Sequence, residues 1–378
     1  MRVLICPDKF AGTLTAVAAA SALAEGWREA SPADQIDQRP LADGGPGFLD
    51  VLAAAAGPAA EWVPVRTVDP LGRPVPGWLL VLGDTGYVES AQACGLHLLA
   101  ESERDPTVTT SYGLGLLIGS AVAGGVRRVV VGLGGSAVND GGAGMLAALG
   151  AGPVDRAGYA LPPGGAAVAA ASGLAGQPQL YGAELVAATD VDNPLLGPAG
   201  ASAVFGPQKG AGEAEVALLD AALAQWATVL EQQLPGCPAG LATLPGGGAA
   251  GGLGAALLAL GGRVEAGMAL VRRLTGLDHA IAEADLVITG EGSFDSQSLR
   301  GKVAAAVAGA ARARGVPCLV VAGRATVPVT EATAAGVTGV FSLVEHFGGD
   351  AARAMAEPAA GLKELAAQIA TDPPSRRS

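Results

Sequence analysis

At five places along this chain, strand-end or Gly-rich loops carry the polar residues of an otherwise apolar sequence. The loops are Pro7-Asp8-Lys9-Phe10, Ala42-Asp43-Gly44-Gly45, Gly132–Gly142 (GLGGSAVNDGG), Asp190–Asn193 (DVDN) and Thr289–Gln297 (TGEGSFDSQ). Near the start, Arg2–Cys6 reads as a buried strand, Thr13–Ala30 as an Ala-rich helix and Ile36–Leu41 as a second strand. That order in so short a span predicts a parallel βαβ unit. Open α/β sheets bind ligands outside the carboxyl ends of their strands. Acids just past apolar strands are therefore better functional candidates than acids on helices. Asp and Asn also cap helices and form Asx turns, so one such acid signifies little, whereas five loops of one kind argue for a site.

The rest of the chain sorts into two styles. From Glu61 to Ser90 the prolines Pro64, Pro70, Pro74 and Pro76, followed by Trp78–Leu82 and Gly86–Glu89, predict hairpin-like antiparallel structure. Ser111–Gly124 reads as a helix, Arg127–Val131 and Leu185–Thr189 as strands, and Gly212–Gln233 as a long amphipathic helix. Asp285–Thr289 (DLVIT) returns to the strand-and-glycine style. A helix (Val303–Arg314), strands at Pro317–Ala322 and Gly339–Leu343, and a terminal helix follow, with Pro373–Ser378 read as a frayed tail. At 378 residues the chain exceeds one ordinary core. We expect an α/β fold of two domains: a parallel-sheet domain built from both chain ends (1–64 and 284–378) and an inserted mixed α/β domain (65–283), with the active site in the cleft between them.

Composition narrows the function. Half the residues are apolar and 15% are charged, too apolar for disorder, and the 58 glycines follow no three-residue period. The net charge of −12 argues against nonspecific nucleic-acid binding, which needs a basic face. A small phosphorylated ligand remains compatible, because backbone N–H groups in Gly-rich loops and one or two lysines can hold phosphate. Cys6, Cys94, Cys237 and Cys318 form no CxxC pair, and the three histidines are too few for a zinc-finger pattern. Reduced thiols and a cytoplasmic location are the expectation. Met1–Phe10 reads as a strand followed by charges and not as a signal peptide. The uncharged stretch Pro238–Gly262 is broken by Pro245 and dense in glycine, so it reads as a loop plus a buried helix and not as a membrane span.

The loops admit several chemistries. Gly132-x-Gly134-x-x-Ala137 after a strand is a loose dinucleotide fingerprint, with Asp155 at the distance of a ribose-binding acid but in a loop. The same amides could cradle phosphates. No GxxxxGK[ST] and no protein-kinase signature occurs. Gly246–Gly252 (GGGAAGG) suits either close packing or phosphate binding. If the preceding strand persists, Asp190 and Asp192 point to one face. Such a pair suits Mg²⁺ with a phosphate substrate, or one metal ligand and one general base. Lys209 in Phe205–Gly210 (FGPQKG), and similarly Lys302, offer point charges to phosphate.

Seven stretches in order, PDKF (7–10), ADGG (42–45), GGSAVNDGGAGM (134–145), TDVDNPLLG (189–197), AVFGPQKGA (203–211), GGGAAGGLG (246–254) and TGEGSFDSQ (289–297), make the chain resemble the bacterial glycerate kinase family, type 1. The resemblance implies ATP-dependent phosphorylation of D-glycerate, most often at the 2-hydroxyl. It also implies a Rossmann-like domain made from both chain ends. The chain departs from the family where Lys9 and Ala11 replace Ser and Lys of the first loop, where Pro46 replaces Glu, and where Ser293 replaces Arg, with Arg300 near enough to substitute. From residue type and loop position we expect Asp190 as base for the substrate hydroxyl and Asp192 with Asp43 on Mg²⁺. Gly134, Gly135, Ser136, Lys209, Gly247 and Gly248 are expected on the nucleotide phosphates, and Asp8, Lys9, Asp295 and Gln297 at the glycerate end. Readings of other classes are a nicotinamide-dependent oxidoreductase and a non-catalytic hydroxy-acid-binding protein; within the kinase reading, 3-phosphoglycerate or a related acid is the alternative.

Overall fold

The apolar run Arg2–Ile5 forms the first strand, buried from Val3 onward, in a computed structural model that describes residues 1–299 and 302–371. In chain order the strands are β1 (Arg2–Ile5), β2 (Gln35–Gln38), β3 (Glu61–Val68), β4 (Pro74–Leu82), β5 (Thr85–Glu89), β6 (Arg128–Gly132), β7 (Gly152–Val154), β8 (Gly173–Ala175), β9 (Glu184–Ala188), β10 (Arg263–Glu265), β11 (Leu286–Phe294), β12 (Cys318–Ala325) and β13 (Gly339–Ser342). The α/β class expected from the sequence holds. Two units emerge: Met1–Asp43, Asp50–Gly57 and the chain from Met268 onward form the first, and Gly44–Leu49 with Pro58–Gly267 form the second. These limits differ from 64/65 and 283/284 for identifiable reasons. β3 pairs with β4 along its whole length and so belongs to the second unit. The helix Leu277–Glu283 packs on β1 and on the helix Val303–Arg312, and so belongs to the first.

In the first unit the sheet order is β13-β12-β11-β1-β2, and every pairing is parallel. The chain leaves β1 toward β2 on one side, and β11 joins on the other. The loops after β1 and β11 therefore part at the carboxyl edge of the sheet, which is the topological switch point of an open α/β fold. Val3, Ile5, Trp27, Leu286, Ile288, Leu319 and Val321 are among its core residues. The helix Ala16–Ala30 starts where the Thr15 hydroxyl accepts the Ala18 N–H at 3.1 Å, an N-cap. It lies close against the helix Pro358–Thr371: a Cβ on Gly26 would stand 1.9 Å from the Lys363 carbonyl oxygen, so only glycine permits that approach.

The second unit carries the sheet β10-β9-β6-β5-β4-β3, parallel from β10 to β5 and antiparallel from β5 to β3. The antiparallel structure expected over Glu61–Ser90 is present as β3, β4 and β5, with Pro64 inside β3; β3 is an edge strand, where a missing donor is tolerated. Leu114, Leu117, Ile118, Val129, Val131, Trp226 and Leu253 build the core. The stretch Pro238–Gly262 contains the buried helix Ala249–Ala259, as expected, and among the described residues no helix is long and apolar enough to cross a membrane. Arg300 and the tail Pro373–Ser378 lie outside the described residues.

Candidate active site

The carboxyl edge of the first sheet gathers the acids expected at the glycerate end. Asp8 follows β1, and its N–H donates to the Gly290 carbonyl at 2.8 Å, which ties the loop to β11. The Lys9 ammonium stands 3.9 Å from both Asp8 and Asp43. Burial pushes the Asp8 carboxyl up to about 6; Lys9 opposes the rise, Asp43 adds to it, and Lys302 opposes it more weakly. Asp295 and Gln297 form a turn in which Asp295 Oδ1 accepts the Gln297 N–H at 2.8 Å. Gln297 is exposed.

A residue absent from the expected site is, with Asp8, a strongly perturbed acid here. Glu291 is 8% exposed and its Oε1 is buried without a hydrogen-bond partner among the described residues. Burial pushes its carboxyl up to about 7; a hydrogen bond from the Ser298 hydroxyl and the charge of Lys302 work against that, and Asp8 and Asp295 add to it. The sequence predicts a loop after Thr289. Instead β11 continues to Phe294, with Glu291 paired to Ala322 of β12. The signal that could have found Glu291 was a second strand, Pro317–Ala322, long enough to hold β11 in register. Because its folded pKa lies above the ordinary carboxylate value, ionised Glu291 opposes folding. The penalty is absent below about pH 4.5, grows as pH rises, and is complete above about pH 7. Glu291→Gln should therefore unfold at higher urea than the parent protein at pH 8, by about 3 kcal/mol at most, and equally at pH 4.5. A difference independent of pH would show that the carboxyl is not held at a raised pKa.

In the second unit the loop after β6 is the strongest phosphate candidate. Gly135 has φ +71, and the loop is pinned by the Leu96 N–H on the Gly135 carbonyl and the Ala137 N–H on the Cys94 carbonyl. Among the described residues the N–H groups of Gly134, Gly135 and Ser136 donate to no protein acceptor. They line a cavity of about 130 Å³ with Val191, Phe205, Gln208, Lys209 and Ala250. A Cβ at Gly134 would stand 2.4 Å from the Gly45 Cα, so within this unit Gly45 and the GLGG loop need glycine to touch. Lys209 is 1% exposed and donates from Nζ to the Val138 carbonyl at 2.6 Å. Burial pushes its amine down to about 7, against Asp140 and Cys94. It is a buried lysine on the wall of the cavity and not a solvated point charge; a phosphate there would favour the charged form. Asp140 is structural, accepting the Ser111 N–H and hydroxyl and the Gly142 and Gly144 N–H groups.

Gly247 and Gly248 take the packing side of the two readings. The Gly247 N–H donates to Leu244 and the Gly248 N–H to Asn193, so neither amide is left for phosphate. A Cβ on Gly248 would stand 2.2 Å from the Pro194 carbonyl oxygen. Asp190 and Asp192 are both exposed and lie beyond β9, which ends at Ala188. The strand does not persist, so alternation does not orient this pair. Asp155 lies in a tight turn, its Oδ1 accepting the Ala157 and Tyr159 N–H groups, and it ends no parallel strand; the dinucleotide reading loses its ribose ligand. For Mg²⁺ the donors are oxygens only. No cluster of three or more possible ligands occurs among the described residues. That set fits a Mg²⁺ held by one or two carboxylates together with substrate phosphates, which is the usual mode, and not a closed protein cage.

The chain matches known proteins over nearly its whole length. The profile of the Glycerate kinase family matches residues 3–372. An uncharacterized protein of Mycobacterium bovis is 42% identical over 98% of this chain and 91% of its own length. Glycerate 2-kinase of Escherichia coli is 40% identical over 92% of both chains, and glycerate kinase of Bacillus subtilis is 40% identical over 91% of this chain and 90% of its own. A crystal structure from Salmonella typhimurium LT2, of a protein provisionally named glycerate kinase 2, superposes with a TM-score of 0.81 at 37% identity, covering 98% of this chain and 97% of the other.

Proposed function

The chain belongs to the glycerate kinase family, and on that premise we propose that it transfers the γ-phosphoryl group of ATP to the 2-hydroxyl of D-glycerate in the cytoplasm, giving 2-phosphoglycerate and ADP. The observation that carries the phosphate end is the row of undonated N–H groups at Gly134, Gly135 and Ser136 on the wall of the Lys209 cavity. Phosphoryl transfer asks mainly for positioning and charge stabilisation, and amides held rigid by a pinned loop supply both without reorganising. Asp190 takes the proton of the attacking hydroxyl. Asp8, Lys9, Asp295 and Gln297 shape the glycerate end. Asp192 and Asp43 are the carboxylates assigned to Mg²⁺, which when bound neutralises charge on the phosphate oxygens. The name of the Escherichia coli relative favours the 2-hydroxyl.

Incubation with ATP, Mg²⁺ and D-glycerate should yield 2-phosphoglycerate by ³¹P NMR. A product phosphorylated only at the 3-hydroxyl would move the assignment to that alternative. No phosphorylated acid at all would overturn the glycerate reading.

A further inference from the structure

We propose that Glu291 binds the substrate hydroxyl that is not phosphorylated, and so makes the protein prefer a dihydroxy acid over a monohydroxy acid. The inference rests on the D-glycerate reading above. Four acids are buried among the described residues: Asp69, Glu89, Asp140 and Glu291. The first three are satisfied by the fold. Asp69 accepts the Leu71 and Arg73 N–H groups and the Arg73 guanidinium. Glu89 accepts the Leu49 N–H, and Asp140 accepts from Ser111, Gly142 and Gly144. Glu291 alone keeps a buried oxygen, Oε1, with no donor. A buried acceptor left unmade is costly, and strand pairing with β12 holds this one where the loops after β1 and β11 part.

What the missing donor can be follows from the surroundings. Asp8 and Asp295 act on Glu291 as like charges; among the described residues the Ser298 hydroxyl, as a hydrogen-bond donor to the carboxyl, and Lys302, as a cation, oppose them, and neither supplies a donor to Oε1. A substrate carboxylate or phosphate would add another negative charge beside them. A neutral hydroxyl adds none and supplies the hydrogen that Oε1 lacks. Glycerate has two hydroxyls, one of which is consumed by the reaction. Assigning the other to Glu291 explains why the fold retains an acid that opposes its own stability. A site built to bond a hydroxyl rejects the analogue lacking it, because the acceptor is then left unpaired.

Two analogues separate the hydroxyls: D-lactate lacks the 3-hydroxyl and 3-hydroxypropanoate lacks the 2-hydroxyl. Each is measured as a competitive inhibitor of D-glycerate phosphorylation by the full chain, with Glu291→Met removing the acceptor and Glu291→Gln keeping one. In Glu291→Met the KM for D-glycerate should rise ~10²-fold with a smaller change in kcat, and the Ki of 3-hydroxypropanoate should rise with it. The Ki of D-lactate should stay within about 3-fold, since it never made the bond. Glu291→Gln should recover most of the loss. The mirror pattern, with D-lactate sensitive and 3-hydroxypropanoate not, would place Glu291 on the reacting 2-hydroxyl and overturn the proposal. An unchanged KM in Glu291→Met, or both Ki values moving together, would overturn the role of Glu291. Failure of the parent protein to phosphorylate D-glycerate would instead overturn the reading beneath it. A thermal melt of Glu291→Met at pH 8, expected at or above that of the parent, checks that the variant folds.

Discussion

Turnover of ATP and D-glycerate is expected to stop in excess EDTA and to return fully on adding Mg²⁺. The expectation comes from charge. The chain carries −12, and Asp43, Asp190 and Asp192 are all placed in the proposed machinery. A nucleotide triphosphate brought among such acids is repelled unless a cation is present. The cations assigned to the site do not suffice by themselves: the Lys209 amine is depressed to about 7, and Lys9 is flanked by Asp8 and Asp43. Because the described residues form no cluster of three or more metal ligands, the ion should arrive with the nucleotide and depend on its phosphates. Two measurements follow: activity against chelator, and Mg²⁺ binding with and without the nucleotide. Full turnover in EDTA would show that the acids have some other task.

Asp190→Asn is expected to lower kcat by at least ~10²-fold, the low end of what a positioned base contributes, while the fold stays intact. The structure supports the second half directly. Asp190 is exposed and lies two residues past the end of β9, so an isosteric amide disturbs neither the strand nor the core. The variant should therefore stay folded, and its KM for D-glycerate should change less than its kcat. A folded Asp190→Asn with near-normal kcat would move the base elsewhere, with Asp192 and Asp295 the next candidates.

Much of this protein was legible in the sequence, because local composition encodes local events. RVLIC, RRVVV and DLVIT are apolar runs of strand length; the first two became parallel strands with their ends moved by one residue, and the third runs on to Phe294. The glycine and acid loops appear at the carboxyl ends of those strands because a strand that leaves a sheet must turn there, and turning favours those residues. The seven stretches in order were also enough to point to the family. Such information is carried within a few residues of where it acts.

The assignment of partners was not legible, because it depends on residues far apart in the chain. Asp140 and Glu291 look alike in sequence, both acids in glycine-rich stretches. Ser111, brought beside Asp140 from 29 residues away, satisfies the first. Pairing with β12 carries β11 past Thr289 and leaves the second buried with an oxygen unpaired. Lys209 reads as a point charge for phosphate in a Gly/Pro loop, and only tertiary packing shows it buried with its ammonium on the Val138 carbonyl. Gly247 and Gly248 read equally as phosphate cradle or packing until Leu244 and Asn193 take their amides. In each case the residue type sets what a group can do, and desolvation with the choice of hydrogen-bond partner decides what it does. Both are properties of the folded neighbourhood, which the local sequence does not contain.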